Sequence, residues 1–121
     1  MEFEELTERI IGAAIEVNKR LGPGFLESIY ENALVVELRK RGLHVEQQVE
    51  ISIRYDEFEV GKHRLDLLVE KTIVVELKTS KNLEDVHFVI VRSYLKAAGK
   101  QHGLLLNFSK VSLEIKRVIC K

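Results

Sequence analysis

The chain has little cysteine, no tryptophan and a single proline among its 121 residues. Cys120 stands alone, so no internal disulfide can form and no cysteine cluster can hold zinc or iron. Such usage fits a reducing compartment, and a cytoplasmic location is expected. With one Pro and seven Gly there is little material for a flexible linker. No apolar run approaches the roughly 20 residues needed to span a bilayer, so no membrane partner is expected. The start, Met1-Glu-Phe-Glu-Glu-Leu-Thr-Glu-Arg-Ile10, is acidic and amphipathic and lacks the basic and apolar blocks of a signal peptide. Net charge is also absent, with 19 Lys and Arg against 19 Asp and Glu. A dedicated nucleic-acid binder is usually more basic. The balance hides an asymmetry: residues 1–59 carry 7 basic and 13 acidic side chains, residues 60–121 carry 12 and 6. A basic second half could face phosphates, or the halves could neutralise each other across the fold.

What is present is enough for one packed unit. Residues 1–121 are expected to form a single domain that buries about two-thirds of its unfolded surface. Phe3, Leu6, Ile10, Ala14, Val17 and Leu21 recur every three or four residues, which predicts an amphipathic helix over 2–21. Gly22-Pro-Gly24 breaks it. A second helix is expected from about Leu26 to Arg41, with Leu26, Ile29, Ala33, Leu34 and Leu38 as its buried stripe and Gly42 as its end.

The period then changes to two. A strand is expected near 45–55, a connection or bulged strand over Asp56 to Gly61, then strands over Arg64 to Glu70 and Thr72 to Thr79. The short gap between the last two predicts a tight antiparallel hairpin. Asn82 is the expected cap of a third helix, Leu83 to Ala98, ended by Gly99. Strands over Gly103–Phe108 and Val111–Ile119 complete an α-α-β-β-β-α-β-β order, without repeats or low-complexity segments.

The third strand carries the chemistry. In Ile73-Val-Val-Glu-Leu-Lys78, Glu76 and Lys78 share one face while Ile73, Val75 and Leu77 share the other. A hairpin can bring Asp66 beside Glu76. Two carboxylates and an ammonium at one sheet surface repel and resist burial unless a cation joins them. Mg²⁺ suits one or two carboxylates and keeps several waters. It could polarise a phosphodiester, with Lys78 stabilising the charge that develops. The alternative is an ion-paired strand face without chemistry, which E-x-K spacing alone does not exclude. The four histidines, His44, His63, His87 and His102, show no metal-ligand spacing. Gly22-Pro-Gly24 lacks the Lys and Ser/Thr of a phosphate loop, and Ser28 has no nucleophile-elbow motif around it.

Gly24-Phe-Leu-Glu27-Ser-Ile-Tyr30 resembles the motif that names the GxxExxY protein family. Leu21-Gly-Pro-Gly, Asp66-Leu-Leu-Val, Val75-Glu-Leu-Lys78, Tyr94-Leu-Lys and Gly103-Leu-Leu-Leu-Asn-Phe108 are similar to the same family, in order and over nearly the whole chain. That family is placed in the PD-(D/E)XK nuclease-like superfamily, whose α/β core, α-β-β-β-α-β, agrees with the order read above once an extra N-terminal helix and a C-terminal strand are set aside.

The resemblance implies catalytic roles for Asp66, Glu76, Lys78 and Glu27. It implies Mg²⁺ or Mn²⁺ held by Asp66, Glu76, the Leu77 backbone carbonyl and Glu27. Tyr30, Arg92, Tyr94 and Lys96 become candidate substrate contacts, with Tyr30 alternatively a packing aromatic. His87 matches a position that could line the site. The chain departs from the family at Ile90, where a Gln four residues before the Tyr is common; an Ile can hydrogen-bond neither a phosphate nor its water. Three functions are therefore weighed: Mg²⁺-dependent phosphodiester hydrolysis of nucleic acid, with DNA expected; an inactive nuclease-fold module that binds nucleic acid or a protein; and a purely structural or oligomer-forming domain, with a homodimer as the candidate assembly.

Overall fold

The computed structural model describes residues 2–121; Met1, the first residue of the expected unit, lies outside them. Helix α1 runs Phe3–Leu21, α2 Glu27–Lys40 and α3 Asp85–Ala98. Strands β1 (Val45–Tyr55), β2 (Phe58–Val69), β3 (Ile73–Lys78), β4 (His102–Asn107) and β5 (Glu114–Ile119) form one sheet in the order β1-β2-β3-β4-β5. β3 and β4 are parallel, joined by the α3 crossover; the other pairs are antiparallel. This is the α/β architecture expected for a PD-(D/E)XK-like core.

The sheet is covered on both faces, which is why β3 is nearly continuous in apolar residues. Ile73, Val75 and Leu77 enter a core with α1 and α2, built on Leu6, Ile10, Leu34 and Leu38. Val74 and Leu105 enter a second core with Val91 and Leu95 of α3. Gly103 permits that second contact: a Cβ there would lie 3.2 Å from Leu95 Cδ2 and 3.3 Å from the Val74 carbonyl oxygen. Helix ends follow the dipole, with Glu4 and Glu5 opening α1 and Lys19 and Arg20 closing it.

Over Asp56 to Gly61 the bulged-strand alternative holds: β2 begins at Phe58, and the β1–β2 register shifts between Ile53 and Arg54, opposite Gly61 and Glu59. Other boundaries differ from the sequence expectation. The cap of α3 is Glu84, whose N–H donates to His87 Nδ1 at 3.0 Å, while Asn82 instead accepts from Lys110 Nζ. β5 begins at Glu114, leaving Val111 84% exposed in the preceding loop.

The buried stripe of α2 also moves. Leu26 and Ile29 are exposed, and Tyr30, Leu34, Val35 and Leu38 point inward. Tyr30 sets this rotation. Its hydroxyl donates to the Gly22 carbonyl and accepts from the Phe25 N–H, and its ring stacks on Phe108 at 4.9 Å. The Gly24-x-x-Glu27-x-x-Tyr30 motif is thus a mechanical unit. Gly24, at φ 112°, makes a turn closed to most residues, Tyr30 ties the turn to the helix, and Glu27 is carried to a fixed place.

Tyr30 has no exposed surface, so it is a loop clamp and not a substrate contact. Tyr30→Phe keeps the ring but orphans the Gly22 carbonyl and the Phe25 N–H. Urea unfolding is expected to show a loss of about 1–3 kcal/mol; an unchanged midpoint would mean the turn is held by other groups.

Candidate active site

β2 and β3 pair through Leu67–Val75, Leu68–Val74 and Val69–Ile73, and the ladder then stops. The next residues, Asp66 and Glu76, replace backbone pairing with side chains. The Asp66 N–H donates to Glu76 Oε2 at 2.7 Å, and the Leu77 N–H donates to Asp66 Oδ2 at 2.8 Å. Each carboxyl satisfies a backbone donor on the opposite strand where the strands diverge.

The register behind this arrangement is set by the turn after Val69. Glu70 and Lys71 have φ 51° and 54°, and the Thr72 N–H donates to the Val69 carbonyl at 2.9 Å, as in the two-residue turns suited to strand twist. Alternation also breaks at Asp66. Leu65 packs with the α3 core and Leu67 with the α1–α2 core, although they are two residues apart. Gln48, at φ 56°, lies between the Gln47–Leu67 and Val49–Leu65 rungs, opposite Asp66. Irregularities of this kind re-aim side chains.

The result is a cleft of about 280 Å³ lined by Glu27, His63, Asp66, Glu76, Leu77, Lys78, His87, Ile90, Val91 and Tyr94. The sequence-predicted Asp66, Glu76, Leu77, Lys78 and Glu27 all meet there, and so does Tyr94. Arg92 and Lys96 do not. They face a different surface with Cys120 and Lys121, because α3 turns His87, Ile90, Val91 and Tyr94 inward and the intervening positions away. A larger cavity, about 490 Å³, lies between α1 and the loop before β5; its lining is mostly apolar and it holds no carboxylate.

Electrostatics in the cleft are dominated by burial. Glu76 is 6% exposed, and its pKa is pushed up to about 8 by desolvation and then by the charge of Asp66. Burial likewise raises Asp66, opposed by the bond from the Leu77 N–H, and raises Glu27, with Asp66 adding to the effect. Lys78 lowers the proton affinity of Glu27 and Glu76 through its charge. The carboxyls of Asp66 and Glu76 accept from backbone N–H groups of the opposite strand, Glu76 Oε1 meets His63 Nε2, and the two carboxyls also bond to each other.

The cleft also holds His63, while Glu31 and Asn107 brace elements around it, and none of the three is a sequence-predicted site residue. His63 Nε2 lies 3.1 Å from Glu76 Oε1, and its ring stacks on Tyr94 at 3.5 Å. Strand alternation gave no hint, since His63 and Asp66 are three residues apart and should face opposite ways. Glu31, one helical turn after Glu27, is buried and receives Gln47 Nε2 at 2.6 Å and Gln48 Nε2 at 2.9 Å. Glu27 and Glu31 at i and i+4 were the available signal. Asn107 is fully buried and continues the sheet beyond Lys78: its Oδ1 accepts from the Ser80 N–H at 3.1 Å and its Nδ2 donates to the Ser80 carbonyl at 2.8 Å.

Asp66 and Glu76, with repelling carboxyls and raised proton affinity, fit a hard divalent cation that asks for one or two carboxylates. Glu27 does not complete a cage of three. Among the described residues no group of three or more His, Cys, Asp and Glu side chains is arranged to hold a metal ion. No helix among these residues is long and apolar enough to cross a membrane.

Known proteins share both the sequence pattern and the fold. A sequence model of the PD-(D/E)XK nuclease superfamily matches residues 4–118. The fold is similar to the crystal structure of SSO0001, with a TM-score of 0.62, 23% identity and 77% of this chain covered. The chain spans about half of that protein, 49% of its length. No curated protein sequence matches significantly.

The raised Glu76 pKa has a stability consequence in metal-free protein. A carboxyl that keeps its proton to about pH 8 when folded, but loses it near 4.5 when unfolded, favours the folded state less as pH rises between those values. Wild type should therefore lose stability relative to Glu76→Gln as pH rises from about 5 to 8. Urea midpoints at several pH values check this; parallel profiles for the two proteins would contradict the buried, protonated Glu76.

Proposed function

Because the chain belongs to the PD-(D/E)XK nuclease superfamily, we propose that it hydrolyses phosphodiester bonds of nucleic acid with a divalent cation at Asp66 and Glu76. The single observation that supports this most is the reciprocal bonding of these two carboxyls at the point where β2 and β3 separate. DNA is the proposed substrate, Mg²⁺ or Mn²⁺ the proposed ion, and GxxExxY the proposed subfamily, on Gly24, Glu27 and Tyr30.

Asp66, Glu76 and the Leu77 carbonyl would hold the ion, which when bound polarises a phosphodiester and lowers the pKa of water. The chain's own residues do the rest. The backbone bonds to Asp66 and Glu76 fix both carboxyls, so little reorganisation is needed at the moment of reaction. Lys78 places an ammonium in the cleft where charge develops on phosphoryl oxygens. Glu27, held by the Tyr30 clamp, adds a carboxyl on the opposite wall that can accept a proton or orient water. Tyr94 and Ile90 form the α3 wall.

A second reading, a nuclease fold that binds without cutting, is favoured by one observation: Ile90 lines the cleft and offers no hydrogen bond there.

Calorimetric titration of Mg²⁺ and Mn²⁺ into wild type and Asp66→Ala, followed by incubation with supercoiled and single-stranded DNA, tests both readings. Wild type is expected to bind metal and cleave, with both lost in Asp66→Ala. Lys78→Ala should keep metal and lose at least about 100-fold in rate. Metal binding without cleavage would favour the second reading, and Ile90→Gln would then be expected to gain activity. Absence of metal binding would remove the hydrolytic reading.

A further inference from the structure

We propose that His63 is a positioning residue that holds the Glu76 carboxylate in the orientation in which Glu76 and Asp66 share a divalent cation. The inference rests on the hydrolytic reading of the cleft and adds to it a residue outside the Asp66, Glu76, Lys78 and Glu27 set.

His63 reaches the cleft only because strand alternation breaks at Asp66. Its ring then lies face to face with Tyr94, 3.5 Å between centroids and 12° between planes. A stacked ring cannot swing out of its plane, so the direction of its nitrogens is set by α3. That direction puts Nε2 3.1 Å from Glu76 Oε1. The other oxygen, Oε2, accepts the Asp66 N–H at 2.7 Å. Both oxygens of Glu76 are thereby held from β2, one by a backbone N–H and one by an imidazole.

A carboxylate fixed at both oxygens cannot rotate about its last bond. It still has acceptor capacity left, because two oxygens offer about four lone-pair sites. Hydrogen bonds of this kind orient metal-binding carboxylates, and their removal typically weakens metal affinity 10–100-fold. Among the described residues, the other side chain that bonds Glu76 is Asp66, the proposed fellow ligand, so His63 is the brace from outside the metal pair. Ile90 and Val91 present only carbon from α3, and the Tyr94 ring face is occupied by His63 itself. His63 also keeps some exposure, 27% of its side chain, so its place is poorly explained as core filling.

Mn²⁺ alone, titrated into each folded protein and followed by electron paramagnetic resonance of the free ion, tests the assignment without nucleic acid. His63→Ala is expected to bind Mn²⁺ 10–100-fold more weakly than wild type. His63→Gln, whose amide N–H can occupy the place of Nε2, should restore affinity to within about threefold. Tyr94→Ala, which frees the ring without touching Glu76, should weaken binding by a smaller factor and serves if His63→Ala does not fold. Unchanged affinity in His63→Ala, or in Tyr94→Ala where that variant stands in, overturns the inference. A folded His63→Gln as weak as His63→Ala also overturns it, because shape and not the hydrogen bond would then matter. Absence of Mn²⁺ binding in wild type is a different result: it removes the metal-site reading itself, and the inference with it.

Discussion

Two carboxyl groups facing each other across the end of the β2–β3 ladder are the constraint on which the rest depends. Buried acids without partners would be strongly unfavourable. Here Asp66 and Glu76 each take a backbone N–H from the other strand, so the place where the sheet opens is also where its orphan donors are satisfied. The arrangement leaves Glu76 with a raised proton affinity and a pair of acids that a cation would suit. A shift of one residue in the β2–β3 register would put Asp66 and Glu76 on opposite faces of the sheet. The Glu70–Lys71 turn guards against that. It is tied to the residue before β1, with the His44 N–H donating to Glu70 Oε2 and the Glu70 N–H to the His44 carbonyl.

Around this pair the fold adds braces, each crossing between elements. Tyr30 fixes the turn that delivers Glu27. Glu31 joins α2 to β1 through Gln47 and Gln48. Asn107 continues the β3–β4 ladder into the Ser80 loop after Lys78 has left it, and the Ser109 hydroxyl joins the same Ser80 carbonyl. His63, Tyr94 and Glu76 link β2, α3 and β3 in one contact series. The motif residues therefore play two different parts. Asp66, Glu76, Lys78 and Glu27 face the cleft, whereas Gly24, Tyr30 and Asn107 keep the cleft in shape. A shared sequence motif does not by itself tell these two parts from each other.

The charge asymmetry of the sequence gains a partial physical meaning. Arg117 of the basic half pairs with Glu4 of the acidic half at 3.0 Å, an exposed contact worth little energetically. Arg92 and Lys96 lie away from the cleft. The positive charge inside the cleft is Lys78, set among the carboxyls of Glu27, Asp66 and Glu76.

Sequence alone determined the order of helices and strands, the β2–β3 hairpin and the meeting of Asp66, Glu76 and Lys78, because periodicity and short turns are local properties that survive into any packing. It also carried the superfamily. What it left undecided was set by contacts between distant elements. The face that α2 buries was legible only once Tyr30 had found Gly22, Phe25 and Phe108. The cap of α3 moved from Asn82 to Glu84 because His87 folds back on the backbone. Tyr30, Arg92 and Lys96 fall outside the cleft for one common reason: a helix in isolation does not show which of its faces the sheet will cover. His63 entered the cleft because strand irregularity at Asp66, invisible to a two-residue alternation, turns side chains from opposite faces into one cleft, and Glu31 found Gln47 and Gln48 only when α2 packed on β1.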